Sequence, residues 1–207
     1  KYLYKISEVG SIINKEIIDF SSQNRSYKNK SFSILILGGS QGAEIFGKIM
    51  PQVTKILIDK GYQIQIIQQC IDSQKAYLSD FYNKINVENY VFDFDKNILN
   101  LFLSSNLAIT RCGASTTAEL TQTLTPFIAI PLPNSVDNHQ YLNAKYYENK
   151  GCCWIVEQNN FAVQNLSNLI IDVIENKNKL ERASTNMKKI SSKDVYNNIE
   201  DQVKNFI

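Results

Sequence analysis

Ser33-Ile34-Leu35-Ile36-Leu37-Gly38-Gly39-Ser40-Gln41-Gly42-Ala43 is the stretch that decides the fold. A short apolar, β-branched run stops at a glycine pair, which reads as a strand buried on both faces. Residues 43–60 then carry Phe46, Ile49, Met50, Val53, Ile56 and Leu57 at the spacing of an amphipathic helix. Working outward, the unit repeats. Residues 62–68 (YQIQIIQ) alternate as a strand does, and 72–85 read as a helix with Asp72 or Ser73 as N-cap. Further apolar runs at 90–94, 107–110, 127–130 and 154–156 are separated by helical stretches at about 97–105, 114–124 and 139–149. Strands alternating with helices of this length predict an α/β fold: a Rossmann-like, doubly wound parallel sheet of about six strands. Ligands of such a sheet belong beyond the carboxyl ends of its strands. After residue 157 the pattern is helical only, over 161–174, 178–190 and 195–206. Residues 1–9 read weakly as a strand, and 21–30 (SSQNRSYKNK) as a polar surface linker.

Composition narrows the function classes. The chain has 207 residues, 43% of them hydrophobic, enough for a sizeable core without a disulfide or metal staple. Lys plus Arg number 22 against 20 Asp plus Glu, and no long basic stripe is visible, which argues against a dedicated nucleic-acid binder. No apolar run approaches the ~20 residues of a membrane span and no signal peptide opens the chain, so a soluble or at most peripheral protein is expected. Cys70, Cys112, Cys152 and Cys153 lack paired metal-ligand spacing, and His139 is the sole histidine, which argues against a zinc site. Cys152–Cys153 as a redox pair stands against the plainer reading of small buried hydrophobes.

Three segments carry chemistry. In Gly38–Ala43 the glycines let the backbone turn sharply and approach a ligand, and the following helix N-terminus presents free N–H groups to an anion; a tight turn with no ligand is the alternative. Arg111-Cys112-Gly113-Ala114-Ser115-Thr116-Thr117-Ala118-Glu119 again follows a strand and opens a helix. Its hydroxyls and amides suit a diphosphate. Glu119, one turn in, either accepts the two hydroxyls of a ribose or merely complements the helix dipole. In Pro131–Ala144 the polar run Asp137-Asn138-His139-Gln140 offers donors and acceptors to sugar hydroxyls. His139 as a general base stands against a helix-start residue bonding backbone or solvent, the preferred reading.

GGSQGA at 38–43, RCGASTTAEL at 111–120, and PLPNSVDNHQYLNA at 131–144 followed by GCCWIVEQ, in this order, resemble the MurG family of bacterial undecaprenyl-diphospho-muramoylpentapeptide β-N-acetylglucosaminyltransferases. The resemblance runs from about Val9 to the C-terminus and covers only about the second half of the family's chain. It implies the donor-binding half of a two-domain transferase of peptidoglycan synthesis. That enzyme moves N-acetylglucosamine from UDP-N-acetylglucosamine to lipid I, inverting the anomeric centre and giving lipid II, at the cytoplasmic face of the bacterial inner membrane. By position, Ser40 and Gln41 fall near the donor diphosphate. Ala114, Ser115, Thr116, Thr117, Ala118 and Glu119 fall on the diphosphate and ribose, Phe94 and Asp95 on the uracil, and Gln140 on the N-acetylglucosamine hydroxyls. No cofactor and no metal are implied. No catalytic residue is read in this chain, because the family's base candidate, acceptor loops and membrane-docking patch lie in the N-terminal domain.

The resemblance also implies a division into an interdomain segment and linker at 1–30, a UDP-N-acetylglucosamine-binding domain at 31–193, and a C-terminal helix at 194–207 that reaches the N-terminal domain. Val195, Ile199, Val203 and Phe206 form an apolar stripe that serves that contact or packs on its own domain. One departure matters. Where the family has N-P-V-R, with an arginine reaching the donor, this chain has Ser11-Ile12-Ile13-Asn14, with Lys15 as the nearest substitute. Two rival readings are a one-domain transferase subunit needing a membrane partner and a non-catalytic gene remnant.

Overall fold

The structure, a computed structural model, describes residues 7, 9–20, 31–39, 44–160, 162–191 and 195–204. Six parallel strands, β1 (Phe32–Leu37), β2 (Ile64–Gln69), β3 (Glu88–Phe92), β4 (Leu107–Thr110), β5 (Phe127–Ala129) and β6 (Cys153–Ile155), form one sheet in the order β3-β2-β1-β4-β5-β6. Ile34 of β1 stands beside Ile66 of β2 on one flank and Leu107 of β4 on the other. Successive β1 side chains point to opposite faces: Ile34 and Ile36 enter one core, Leu35 and Leu37 the other. This is why the strand reads as an unbroken apolar run.

Helices cover both faces. The first core takes Phe46, Met50 and Leu57 from α2 (Glu44–Asp59), Leu78 and Tyr82 from α3 (Asp72–Lys84), and Leu166 and Ile170 from α7 (Val163–Glu175). The second takes Phe102 from α4 (Ile98–Ser104), Leu120 from α5 (Ala114–Gln122), Ala144 and Tyr147 from α6 (His139–Asn149), and Met187 from α8 (Lys177–Ile190). All four cysteines are free and buried, packed as small hydrophobes. Among the described residues no helix is long and apolar enough to cross a membrane.

Several boundaries differ from the sequence reading for local reasons. Strand β2 begins at Ile64 rather than 62, because Gly61 (φ +87°) and the Tyr62 N–H to Leu57 carbonyl bond at 3.1 Å close α2. Neither Asp72 nor Ser73 caps α3. The Cys70 N–H still bonds the Phe92 carbonyl, so Ile71 turns the corner and Asp72 falls inside the first helical turn, where its carboxylate complements the dipole. A short helix, α1 (Lys15–Phe20), goes unread in the sequence; the Asn14 side-chain oxygen accepts the Glu16 N–H at 2.9 Å and caps it. Ile13 and Ile17 are buried against Ala118 of α5. Of the expected strand at 1–9 only Ser7 and Val9 are described, and the linker at 21–30 lies outside the described residues. In α9 (Val195–Lys204), Val195 is buried, Ile199 half-buried and Val203 exposed, so the apolar stripe is only partly packed on this domain; Phe206 lies outside the described residues.

Candidate functional site

The strand order reverses between β1 and β4. From β1 the chain moves to β2 and β3 under helices of one face; from β4 it moves to β5 and β6 under helices of the other. The loops leaving these two neighbours therefore diverge and open a crevice at the carboxyl edge. Its volume is about 540 Å³, and Gly38, Gly39, Glu44, Arg111, Gly113, Ala114, Ser115, Thr116, Leu132 and Gln140 line it.

One wall is the glycine turn after β1. Gly39 has φ +76°, a left-handed conformation that a side chain disfavours. The opposite wall is the first turn of α5. Gly113 is its N-cap and supplies no side-chain cap, so the leading helical amides, which have no partner within the helix, stand open beside the crevice. Ala114 and Ser115 are exposed there. Glu44, the one carboxylate on the lining, is drawn off by Lys48 at 2.7 Å.

Arg111 sits between the walls and is buried. Its guanidinium donates to the Ile130 carbonyl at 3.1 Å, the Pro131 carbonyl at 3.2 Å and Gln158 Oε1 at 2.7 Å, and lies 5.5 Å from the centre of the Phe46 ring. Among the described residues no carboxylate is paired with it, and burial pulls its pKa below the usual arginine value. A buried cation held by neutral acceptors leaves its charge uncompensated, which favours an anion in the adjoining crevice. The sequence reading gave Arg111 no role. The signal was available: an arginine at the carboxyl end of a short, mostly apolar strand (Leu107–Thr110) is drawn toward the buried interior, where its charge calls for an anion.

Gln140 joins the two loops that frame this wall. Its Oε1 accepts the Cys112 N–H at 3.2 Å and the Leu132 N–H at 3.0 Å, which takes up the acceptor capacity of the carboxamide. His139 does what the plainer reading expected: Nδ1 lies 2.8 Å from the Val136 carbonyl, so it carries the proton donated there. The approach to α6 strains the chain, with Asn134, Asp137 and Asn138 all at positive φ.

Not every residue singled out in the sequence meets the crevice. Ser40 and Gln41 lie outside the described residues. Thr117 and Ala118 are buried on the far side of α5. The Thr117 hydroxyl donates back to the Gly113 and Ala114 carbonyls, and Ala118 packs on Ile13 and Ile17. Glu119 is half-buried one turn into the helix, and burial raises its carboxyl above the usual range. Phe94, 73% exposed, and Asp95 follow β3 at the sheet edge, two strands from β1. The Asp95 carboxylate accepts the Tyr90 hydroxyl and the Asn97 N–H, leaving its main chain as the group on offer. Neither Asn14 nor Lys15 lines the crevice. Among the described residues no group of three or more His, Cys, Asp or Glu side chains could hold a metal ion.

Comparison with known proteins gives this geometry a family. Residues 33–199 match the glycosyltransferase family 28 C-terminal domain. The UDP-N-acetylglucosamine--N-acetylmuramyl-(pentapeptide) pyrophosphoryl-undecaprenol N-acetylglucosamine transferase of Rickettsia canadensis is 41% identical over 187 residues, 89% of this chain and 53% of that one. The protein of the same name from Pelagibacter ubique is 34% identical over 199 residues, 96% of this chain and 55% of its own. The chain thus spans about half the length of the curated relatives it matches. Among solved structures, Acinetobacter baumannii MurG superposes with a TM-score of 0.76 at 24% identity, covering 91% of this chain and 53% of that one. The C-terminal CMP-Kdo binding domain of WaaA from the same organism gives 0.59 at 10% identity, covering 86% of this chain and 98% of its own. At these identities the structural likeness speaks to fold alone. With the sheet order, the crevice and the matched residues together, the chain belongs to the glycosyltransferase family 28 C-terminal domain family.

Proposed function

We propose that this chain is the donor-binding half of an inverting transferase that moves N-acetylglucosamine from UDP-N-acetylglucosamine to the muramoyl O4 of lipid I, giving lipid II. The observation that carries the reading is the crevice at the strand-order reversal, where open amides of α5 and the uncompensated cation of Arg111 meet a glycine turn. In this reading the diphosphate lies between the Gly38–Gly39 pair and the first turn of α5, Glu119 accepts the ribose diol, the main chain at Phe94–Asp95 meets the uracil, and the Gln140 NH2 group donates to a sugar hydroxyl. As the bond between the anomeric carbon and the diphosphate oxygen breaks, negative charge grows on the leaving nucleotide. Helix amides and a guanidinium fixed in advance stabilise that charge. The base that takes the acceptor proton belongs to an N-terminal half, as do lipid I recognition and peripheral attachment to the cytoplasmic face of the inner membrane. Residues 1–30 are then the interdomain segment, 31–193 the donor domain, and 194–207 the helix that reaches the other half.

A thermal-shift titration with UDP-N-acetylglucosamine, against UDP-glucose and ADP-ribose, tests the reading. Ligand at about 100 times its Kd adds ~2.7 kcal/mol, which raises Tm by about 5–10 °C at this size. The expected shift is selective for the uridine N-acetylglucosamine donor and lost in Glu119→Ala. Equal shifts with all three nucleotides, or none with any, would refute donor binding by this chain.

A further inference from the structure

Among the described residues Arg111 is held by neutral groups: the Ile130 and Pro131 carbonyls, Gln158 Oε1 and the Phe46 ring. The two carbonyls belong to the main chain and stay neutral whatever residues stand there. Gln158 Oε1, 2.7 Å from Nη2, is the hydrogen-bond acceptor whose charge the sequence chooses. A carboxylate in its place would pair with the guanidinium through a charge-assisted bond, the strong arrangement of arginine with Asp or Glu. The chain does carry a carboxylate one residue earlier. Glu157, however, is exposed, and it is not paired with Arg111.

Gln158 stands outside the crevice. It lines a separate cavity of about 260 Å³, together with Pro131, Pro133 and Tyr141, whereas Arg111 lines the crevice. Any influence of Gln158 on a ligand in the crevice therefore passes through the guanidinium. Exchanging the carboxamide NH2 for a carboxylate oxygen changes size and shape little. It sets a negative charge within hydrogen-bond distance of the cation, and opposite charges so close together largely cancel at the distance of a ligand.

We infer that Gln158 is a positioning residue that fixes the Arg111 guanidinium without neutralising it, so that the residue at 158 sets how strongly the crevice prefers an anionic group. The inference rests on the donor-binding reading above and adds to it a residue that touches no substrate. Its signature is a dependence on ligand charge. The effect is absent for uridine, which is neutral, and grows through UMP to UDP.

NMR titration of the 207-residue chain and its Gln158→Glu variant with uridine, UMP and UDP reads this directly. The expected result is uridine affinity within about twofold of the parent and UDP affinity lower by about fivefold or more, with UMP between them. The variant should melt no lower than the parent, since the new carboxylate and the buried cation gain each other as partners. Should Gln158→Glu fold poorly beside Glu157, the exchange Glu157→Gln with Gln158→Glu, which keeps the net charge of the chain, takes its place with the same expectation. Unchanged UDP affinity overturns the inference, and so does an equal loss for all three ligands, the mark of general loosening. A parent chain that binds neither uridine nor UDP takes down the donor-binding reading, and this inference with it, before any variant is made.

Discussion

The Tyr196 hydroxyl donates to the Ile13 carbonyl across 2.7 Å, joining α9 to a segment 183 positions earlier in the chain. Asn198 to the Val9 carbonyl at 3.3 Å and Ser7 to Gln202 at 2.9 Å extend the same seam. Through Ile13 and Ile17 that segment bears on Ala118 of α5, so both ends of the described chain converge on the helix whose first turn forms the crevice wall. Replacing Tyr196 by Phe keeps the ring and removes the bond. The expected cost is about 1 kcal/mol of folding stability, read from urea unfolding. A variant as stable as the parent would show that this bond contributes nothing.

Gly113 separates the needs of the fold from those of the ligand. Its φ of −65° suits any residue, and a Cβ there meets nothing within 4 Å. Gly113→Ala is therefore expected to leave stability within about 0.5 kcal/mol of the parent. The same methyl stands beside the open amides of α5 and holds a diphosphate away, which should weaken UDP-N-acetylglucosamine binding by about tenfold or more. Calorimetric titration and a melting curve on one preparation give both numbers. Parent-like affinity would move the diphosphate off this turn.

Arg111 is a cross-link as well as a charge. Its guanidinium fork serves Ile130, Pro131 and Gln158 together, and a lysine ammonium, a single point on a flexible stem, does not span all three. Arg111→Lys is expected to lower stability by about 2 kcal/mol, because buried acceptors lose their donors, although the net charge is kept. UDP binding should weaken as well. Unchanged urea midpoints would mean that these bonds are replaced by water.

Glu119 should trade stability for binding. Burial raises its carboxyl above the ordinary range, so its ionisation opposes folding. The protonated carboxyl favours the fold below the unfolded-chain value of about pH 4, and that contribution is lost as pH rises through the higher folded value. Glu119→Gln escapes the loss. Without ligand it is expected to melt above the parent at neutral pH and to lose that advantage toward pH 4. With UDP-N-acetylglucosamine present the order should reverse, since the ribose loses its carboxylate acceptor. A ligand-free advantage that stays constant into acid would rule out the burial effect.

The sequence by itself determined the layering. Ile34, Leu35, Ile36 and Leu37 read as a strand covered on both sides because apolar residues at every position leave no face for water, and β1 is buried so. The stripe from Phe46 to Leu57 gave a helix because a 3.6-residue period brings those side chains to one side. The Gly38-Gly39 pair and the 111–119 segment were legible as strand ends leading into helices, because a glycine after an apolar run is a local signal of the chain.

What only the tertiary structure decided is which of these pieces meet. Strand β4 inserts beside β1, across 69 intervening residues between Leu37 and Leu107, and that pairing brings the two turns into one crevice. On α5, Thr117 and Ala118 follow Thr116 without a break in sequence yet face another way, because a helix turns about 100° per residue and the segment at Ile13 covers that side. The placement of Arg111 without a carboxylate, and the bond of Gln140 to Cys112, rest on contacts between residues 19 to 47 positions apart. Periodicity reports which side of an element is apolar. It carries no information about which polar group a buried charge or carboxamide will find, because that is fixed by the packing of elements distant in the chain.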